Sequence, residues 1–404
     1  MARKNMYNDQ YPPAFVTYGW CRNAYGVIRS LGQMGVEVHV GDNSSLAMSR
    51  VSRYCKSFTK LPNFFTHPEQ YFEATCQALI KTGAKVLLPC HEDVGLFCKW
   101  RERLPESVMI ALPEQRTYDL VEDKLDCIEL AQKHGCPVPE IFRISEISDL
   151  ERFRQKNEWP LVIKTRIGNG SKGTRIVNNY EELERNFKNL INEFELPPER
   201  WPIIQEYLPG SIAWVSLLYE NGQCVANSSC KPIRHKETDI HGNATLRDTG
   251  DYEELISKAV SLMNAIKWHG IAQLEFIPDK NGQFKLTEIN ARPWGSIALP
   301  VVSGVNIPYL WYLIAIDKLG PRMTTPNKKA KCRWILGDGI ALFELLKKGQ
   351  LRKALKIFQL HRNCYYDDFS LSDPLPLILE SLDYFIRFVK WRGSSNPVTE
   401  NMIR

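Results

Sequence analysis

No Cys-x-x-Cys pair occurs among the eleven cysteines of this chain. That removes the commonest zinc and dithiol spacings. Cysteines such as Cys90, Cys127 and Cys224 lie within apolar runs, where reduced thiols act as small core residues. No run of about 18 apolar residues is present, so no transmembrane helix is expected. The opening Met1-Ala2-Arg3-Lys4-Asn5 leads into polar residues rather than an apolar signal segment, and a cytoplasmic location is expected. Charge of one sign is scarce in excess: the net charge is +6. That balance does not argue for nucleic acid, and it suits anionic substrates without demanding them. A Gly-x-Ser-x-Gly elbow is absent, and with it the signature of a serine hydrolase.

The chain has 404 residues, 44% of them apolar and 24% charged. That composition is ordinary for a globular protein, and the length calls for two or three cores. Ala14 to Thr17 reads as a buried strand, Asn23 to Met34 as a helix stopped by Gly35, and Val36 to Val40 as a second strand ending at Gly41-Asp42. A helix from Glu69 to Thr82 and a strand from Val86 to Leu88 follow. Strand–helix–strand units with short crossovers make a doubly wound domain. Gly-x-Gly-x-x-Gly is missing from its first turn, so Asp42 is a weak ribose ligand and a scaffold role is expected. His91-Glu92-Asp93 at a strand end reads either as ligands or as a loop with a helix cap.

Asp123-Lys124 opens an amphipathic helix, and Pro160 to Lys164 reads as a strand. It runs into Gly168-Asn169-Gly170-Ser171-Lys172-Gly173, and Thr174 to Val177 returns as a strand. With no helix directly after it, this loop is neither a Walker A loop nor a Rossmann turn. Its glycines would let backbone N–H groups approach phosphate oxygens, with Lys164 and Lys172 supplying charge; taken alone, the loop reads by default as a flexible hairpin tip with solvated lysines. Ile203 to Gly210, strands at Ala213–Tyr219 and Cys224–Cys230, and a helix from Tyr252 to Ile266 come next.

Two further strands flank Pro278-Asp279-Lys280-Asn281-Gly282. Asn-Gly favours a two-residue turn, because both central residues need positive φ. Lys280 then faces Gln283, and counting back sets Glu275 opposite Glu288. Period-two alternation puts Glu288 and Asn290 on one face, with Arg292 following. Like charges directly opposed in a ladder are destabilising. A Mg²⁺ ion, which takes one or two carboxylates and completes its shell with water and phosphate, would account for the pair. A solvated sheet face is the alternative.

In order, the lysine helix, the lysine strand with its glycine loop, the Gln205-Glu206-Tyr207-Leu208 segment and the Glu275…Glu288-Ile289-Asn290-Ala291-Arg292 hairpin resemble the ATP-grasp superfamily, in its carboxylate–amine ligase branch. The resemblance spans roughly residues 14 to 315. It implies an α/β (α+β) fold: an ATP-grasp fold preceded by a Rossmann-like doubly wound domain and followed by a helical C-terminal extension. The expected divisions are 1–112, 113–200, 201–325 and 326–404. It also implies ATP and Mg²⁺ (or Mn²⁺) as cofactors, and small-molecule carboxylate and amine substrates joined through an acyl phosphate with release of ADP and phosphate. Carboxylation through carboxyphosphate, or MgATP binding without catalysis, are the alternatives.

By the same resemblance Lys124 and Lys164 contact ATP phosphates, and Gly170, Ser171, Lys172 and Gly173 belong to a flap over the triphosphate. Gln205, Glu206, Tyr207 and Leu208 form the adenine hinge. Glu275, Glu288 and Asn290 are the metal ligands, and Arg292 stands beside the transferred phosphate. Lys231 and Arg234, after a central strand, are further candidates for the phosphates or the substrate carboxylate. One departure is Ile212, where many relatives carry a ribose-binding acid.

After Pro321 the character changes. Glu344 to Arg362 is basic and amphipathic, and a second helical run follows Asp373-Pro374. Such a helix either packs its apolar stripe on its own domain, which is the expectation here, or lies on an anionic membrane surface as a weak contact. Asp367, Asp368 and Asp373 are expected as turn and cap residues. No nucleic-acid partner is expected; a homodimer is.

Overall fold

The computed structural model describes residues 10–156, 158–168, 173–236, 244–320 and 323–390. Its first sheet is built from β1 (Ala14–Val16), β2 (Val38–Asp42), β3 (Cys55–Lys60) and β4 (Val86–Leu88). All pairings are parallel and the order is β3-β2-β1-β4. The order reverses at β1, as in a doubly wound domain. Helices α1 (Arg22–Gln33), α2 (Pro68–Thr82) and the short α3 (Val94–Lys99) supply the crossovers and cover. Helix α2 starts with Pro68, whose missing N–H costs nothing at that position, and stops at Gly83 with φ 70°. Strand β3 was not legible in the sequence: Cys-Lys-Ser-Phe-Thr-Lys is half exposed at the sheet edge.

Helices α4 (Gln115–Glu122) and α5 (Lys124–Lys133) lead to a second, antiparallel sheet. It contains β5 (Ile141–Phe142), β6 (Leu161–Lys164), β7 (Thr174–Val177) and β8 (Ile203–Glu206), in the order β5-β8-β6-β7. Helix α6 (Tyr180–Glu193), capped by the Asn179 side chain, lays Leu183, Phe187 and Leu190 on Ile163 and Ile204. This small core is separate from the main one.

The third sheet is the largest. Its strands are β9 (Ala213–Glu220), β10 (Gln223–His235), β11 (Ala244–Thr249), β12 (Gly270–Pro278), β13 (Phe284–Asn290), β14 (Lys331–Arg333) and β15 (Cys364–Tyr366), in the order β13-β12-β9-β10-β11-β14-β15. Helix α7 (Glu253–Ala265) covers it, and α8 (Ala298–Val302) and α9 (Ile307–Ala315) follow the hairpin. Tyr219, Trp268 and Trp311 lie in one core shared with the first sheet.

The C-terminal region departs from the helical extension read from the sequence. Strands β14 and β15 extend the large sheet. The basic run is two helices, α10 (Ile335–Lys347) and α11 (Leu351–Lys356), because Gly349 takes φ 68°. Helix α12 (Leu375–Lys390) docks on the first domain, with the Trp20 indole donating to Asp383 at 2.7 Å. The apolar stripe of the basic run packs inward in part: Leu345, Ala354 and Ile357 are buried in one cluster with Ala341, while Leu346, Leu351, Leu355 and Phe358 are exposed. Glu380 and Asp383 are on the buried side of α12, while Ile378, Leu382, Phe385 and Val389 are exposed. The aspartates do behave as anchors. Asp368 accepts from the N–H groups of Ile335 and Leu336 at the start of α10. Asp373 accepts from Tyr25, Ser52 and the Arg53 N–H.

Candidate active site

Strands β12 and β13 pair with Glu275 directly opposite Glu288, the register read from the sequence. The route to that register differs. The turn is a three-residue loop: Asp279 faces Gln283 through an N–H to carbonyl bond of 2.9 Å, and Gly282 takes φ 83°. This shifts the ladder by one residue, so Ile277 faces Lys285 and Phe276 faces Leu286. A bulge at Thr287 then takes up the extra residue and restores the carboxylate pair. Lys280 therefore does not face Gln283. Two one-residue deviations cancel.

Glu275 Oε1 accepts from Trp214 Nε1 at 3.3 Å and from Asn290 Nδ2 at 3.2 Å. Burial pushes its carboxyl up to about 7, and the charge of Glu288 pushes the same way, against Lys164. Among the described residues no three His, Cys, Asp or Glu side chains cluster, so two carboxylates and one amide are the donor set here. That set fits a hard divalent cation that keeps its remaining positions for water and phosphate.

Two lysines converge on this hairpin. Asp123 caps α5 by accepting from the Leu125 N–H at 2.9 Å and is gripped by Arg166 at 2.9 Å. The Lys124 N–H donates to the Arg166 carbonyl, tying the start of α5 to the chain just beyond β6. Lys124 is buried; its ammonium donates to the Gly168 carbonyl at 2.8 Å and lies 3.9 Å from Glu288. Burial lowers the Lys164 ammonium, opposed by Glu288 and then joined by Lys124. Lys124, Lys164, Glu275 and Glu288 are therefore within one electrostatic cluster. Gly173 packs directly on the Thr165 side chain, which leaves no room for a Cβ at that position. Gly170, Ser171 and Lys172 lie outside the described residues.

The Gln205–Leu208 segment divides in two. Gln205 is buried on β8, and its Oε1 has no partner among the described residues, leaving an acceptor for a ligand N–H. The Glu206 carboxylate accepts from Lys285 at 2.8 Å and from the Glu140 N–H at 3.1 Å, so it joins β8 to β13. Tyr207 follows β8, and Leu208 is buried in a core cluster with Ile212 and Trp214. The same cluster explains the departure at position 212: that side chain is core.

Arg292 donates from Nε to Glu92 Oε1 at 2.7 Å. Glu92 comes from the loop after β4, so the first domain helps hold this arginine. The His91-Glu92-Asp93 group splits by role. Asp93 is wholly buried, taking Thr17 and Tyr71 hydroxyls at 2.6 and 2.8 Å. His91 stacks on Tyr18 at 4.2 Å. Glu92 is turned toward Arg292. Arg22 was not anticipated: its Nε donates to the Gly295 carbonyl at 3.1 Å, and its guanidinium lies 3.8 Å from the Trp334 ring centroid. A lone arginine at a helix start carries no sequence signal.

Lys231 and Arg234 are not joined to this cluster by any contact among the described residues. Lys231 is exposed, opposite Asp248. Arg234 makes a two-pronged contact with Asp338 of α10, at 2.8 and 2.5 Å, and reaches the Lys356 carbonyl. A bulge in β10 between Pro232 and Arg234 turns it that way.

Residues 121–296 match the family model of an ATP-grasp domain. The sequence is 27% identical over 188 residues to the 2-oxoglutarate carboxylase small subunit of Hydrogenobacter thermophilus, covering 45% of this chain and 40% of that protein. It is 24% identical over 224 residues to N5-carboxyaminoimidazole ribonucleotide synthase of Staphylococcus aureus, covering 54% of this chain and 57% of that protein. The chain thus spans about half the length of these relatives. In structure it resembles N5-carboxyaminoimidazole synthetase from Staphylococcus aureus complexed with ADP (TM-score 0.64, 18% identity, 86% of this chain and 89% of the other). It also resembles an L-amino acid ligase from Bacillus licheniformis (TM-score 0.59, 15% identity, 79% of each chain).

Proposed function

Since the chain carries an ATP-grasp domain over residues 121–296, we propose that it uses ATP to activate a carboxylate as an acyl phosphate and joins it to an amine, releasing ADP and phosphate. The observation that carries this reading is the opposed pair Glu275–Glu288 with Lys124 at 3.9 Å from Glu288 and Arg292 just beyond the same strand. A carboxylate is a poor electrophile, and phosphorylation supplies a leaving group. Phosphoryl transfer needs positioning and positive charge more than covalent help. Lys124 and Lys164 would neutralise phosphate oxygens. Arg292, oriented by Glu92, would face charge that develops on the acyl phosphate. Glu275, Glu288 and Asn290 would hold Mg²⁺, which supplies charge neutralisation and a template for the phosphates. The buried Gln205 acceptor and the backbone at 206–208 would receive adenine. The amine then attacks the acyl carbon, the C–O bond to phosphate breaks, and the amine proton passes to solvent or phosphate.

A second reading has support from the names of the two curated relatives, a carboxylase subunit and a carboxyamino synthase. In it bicarbonate replaces the organic acid and the activated species is carboxyphosphate. Phosphate release measured over acid and amine pairs, with and without bicarbonate, separates the two. An organic acid requirement supports the first reading, and a bicarbonate requirement the second. Glu288→Ala is expected to lower ADP formation at least about a hundredfold with an unchanged melting temperature. Normal turnover by that variant would remove the metal assignment.

A further inference from the structure

The surface formed by α10, α11 and α12 has an unusual distribution of charge. Seven acidic residues fall between positions 335 and 390, and all seven are buried. They are used internally: Asp338 holds Arg234, Asp367 holds Arg247, and Asp383 receives the Trp20 indole. By contrast Lys347, Lys348, Arg352, Lys353, Lys356 and Arg362 are all exposed. Between them stand exposed apolar side chains, among them Leu351, Leu355 (71%), Phe358 and Leu360 (91%). Helix α12 adds the outward face of Ile378, Leu382, Phe385 and Val389. Phe343 of α10 meets Phe388 of α12 edge-on at 5.8 Å, which joins the two faces. Exposed apolar area of this extent on one region marks an interaction surface.

We propose that α10, α11 and α12 dock the protein on a bilayer carrying anionic lipid headgroups. The chemistry selects that occupant. Leucine and phenylalanine side chains enter the acyl boundary while lysine and arginine meet the headgroups, as in interfacial amphipathic helices. A second copy of the chain paired through the same face would set these cations against one another, since residues 335–390 expose no acid. Nucleic acid would be drawn by the same charge, but exposed aliphatic side chains, which give bases no stacking surface, outnumber the exposed rings of Phe343, Phe358, Tyr365 and Phe385. No helix among the described residues is long and apolar enough to cross a membrane, so the contact is at the surface.

The test is co-sedimentation of the full chain with vesicles of phosphatidylcholine alone or mixed with phosphatidylglycerol. The mixed vesicles should carry down about tenfold more protein, less so at high salt. Leu382→Ser/Phe385→Ser and Lys353→Glu/Lys356→Glu should each reduce this to the phosphatidylcholine level, with melting temperatures like the parent. Three results would overturn the proposal: no preference for the anionic vesicles, displacement of the protein from them by duplex DNA, or a solution dimer that the Leu382→Ser/Phe385→Ser variant dissociates. None of these readouts depends on turnover, so they stand apart from the ligase reading.

Discussion

Asp42 illustrates how single residues here are fixed by their surroundings. It ends β2, is buried, and accepts from the N–H groups of Trp20 and Ser44 at 2.9 and 2.6 Å. The first bond holds the turn after β1 and the second the loop after β2, so this carboxylate serves the scaffold. Burial pushes it up to about 7, with the two N–H bonds opposing. Its folded value is therefore raised above the unfolded one. The folded state keeps the proton between about pH 4 and 7 while the unfolded chain has lost it. The contribution is stabilising at the acid end and is lost as pH rises through that window. Asp42→Asn keeps an acceptor oxygen and cannot ionise. Relative to the parent, this variant should gain stability as pH rises from about 4 to 7, by up to about 1.4 kcal/mol per unit. Urea titrations of both proteins at several pH values measure the difference, and parallel curves would remove Asp42 as the source.

Elements whose signals are local and periodic were legible: α1, α2, β1, β4 and the β12–β13 hairpin lie close to their sequence spans. Strand β3 was not, because an exposed edge strand with alternating polar residues has no apolar run. Strands β14 and β15 are three residues each and are created by pairing with distant chain. The candidate site was legible where backbone periodicity sets it, as at Glu275 and Glu288. It was not where tertiary contacts decide, as at Glu92. Arg234 follows the same rule. A basic strand end suggested phosphate, whereas the structure spends the guanidinium on Asp338, which is buried and also contacts Arg333. Removing one partner of a buried pair leaves a charge uncompensated. Because Arg333 remains, Arg234→Met should cost about 1–2 kcal/mol in chemical denaturation. If Arg234 acts structurally, kcat changes little once the variant is folded. A large kcat loss at unchanged stability would return Arg234 to the site.

At the scale of the whole molecule, the end of the chain is bound to its beginning. Asp373 is buried and receives the Tyr25 hydroxyl at 3.1 Å, the Ser52 hydroxyl at 2.6 Å and the Arg53 N–H at 2.8 Å. All three donors belong to the first domain, more than 300 residues earlier in sequence. Helix α12 repeats the link through Asp383 and Trp20, with Tyr384 stacked on the same indole at 6.3 Å. The first domain also supplies Glu92 to Arg292, so the C-terminal helices brace the wall that orients the arginine. Asp373→Ala would strand three donors at a buried boundary, each costing about 1 kcal/mol or more. The expected loss is about 3 kcal/mol in denaturant titration. The bracing argument makes a second demand, that the loss extends to the site. Hydrogen exchange should quicken in the loop carrying Glu92 as well as around Tyr25 and Ser52. Exchange confined to α12 would mean that the C-terminal helices are attached to the first domain without supporting it.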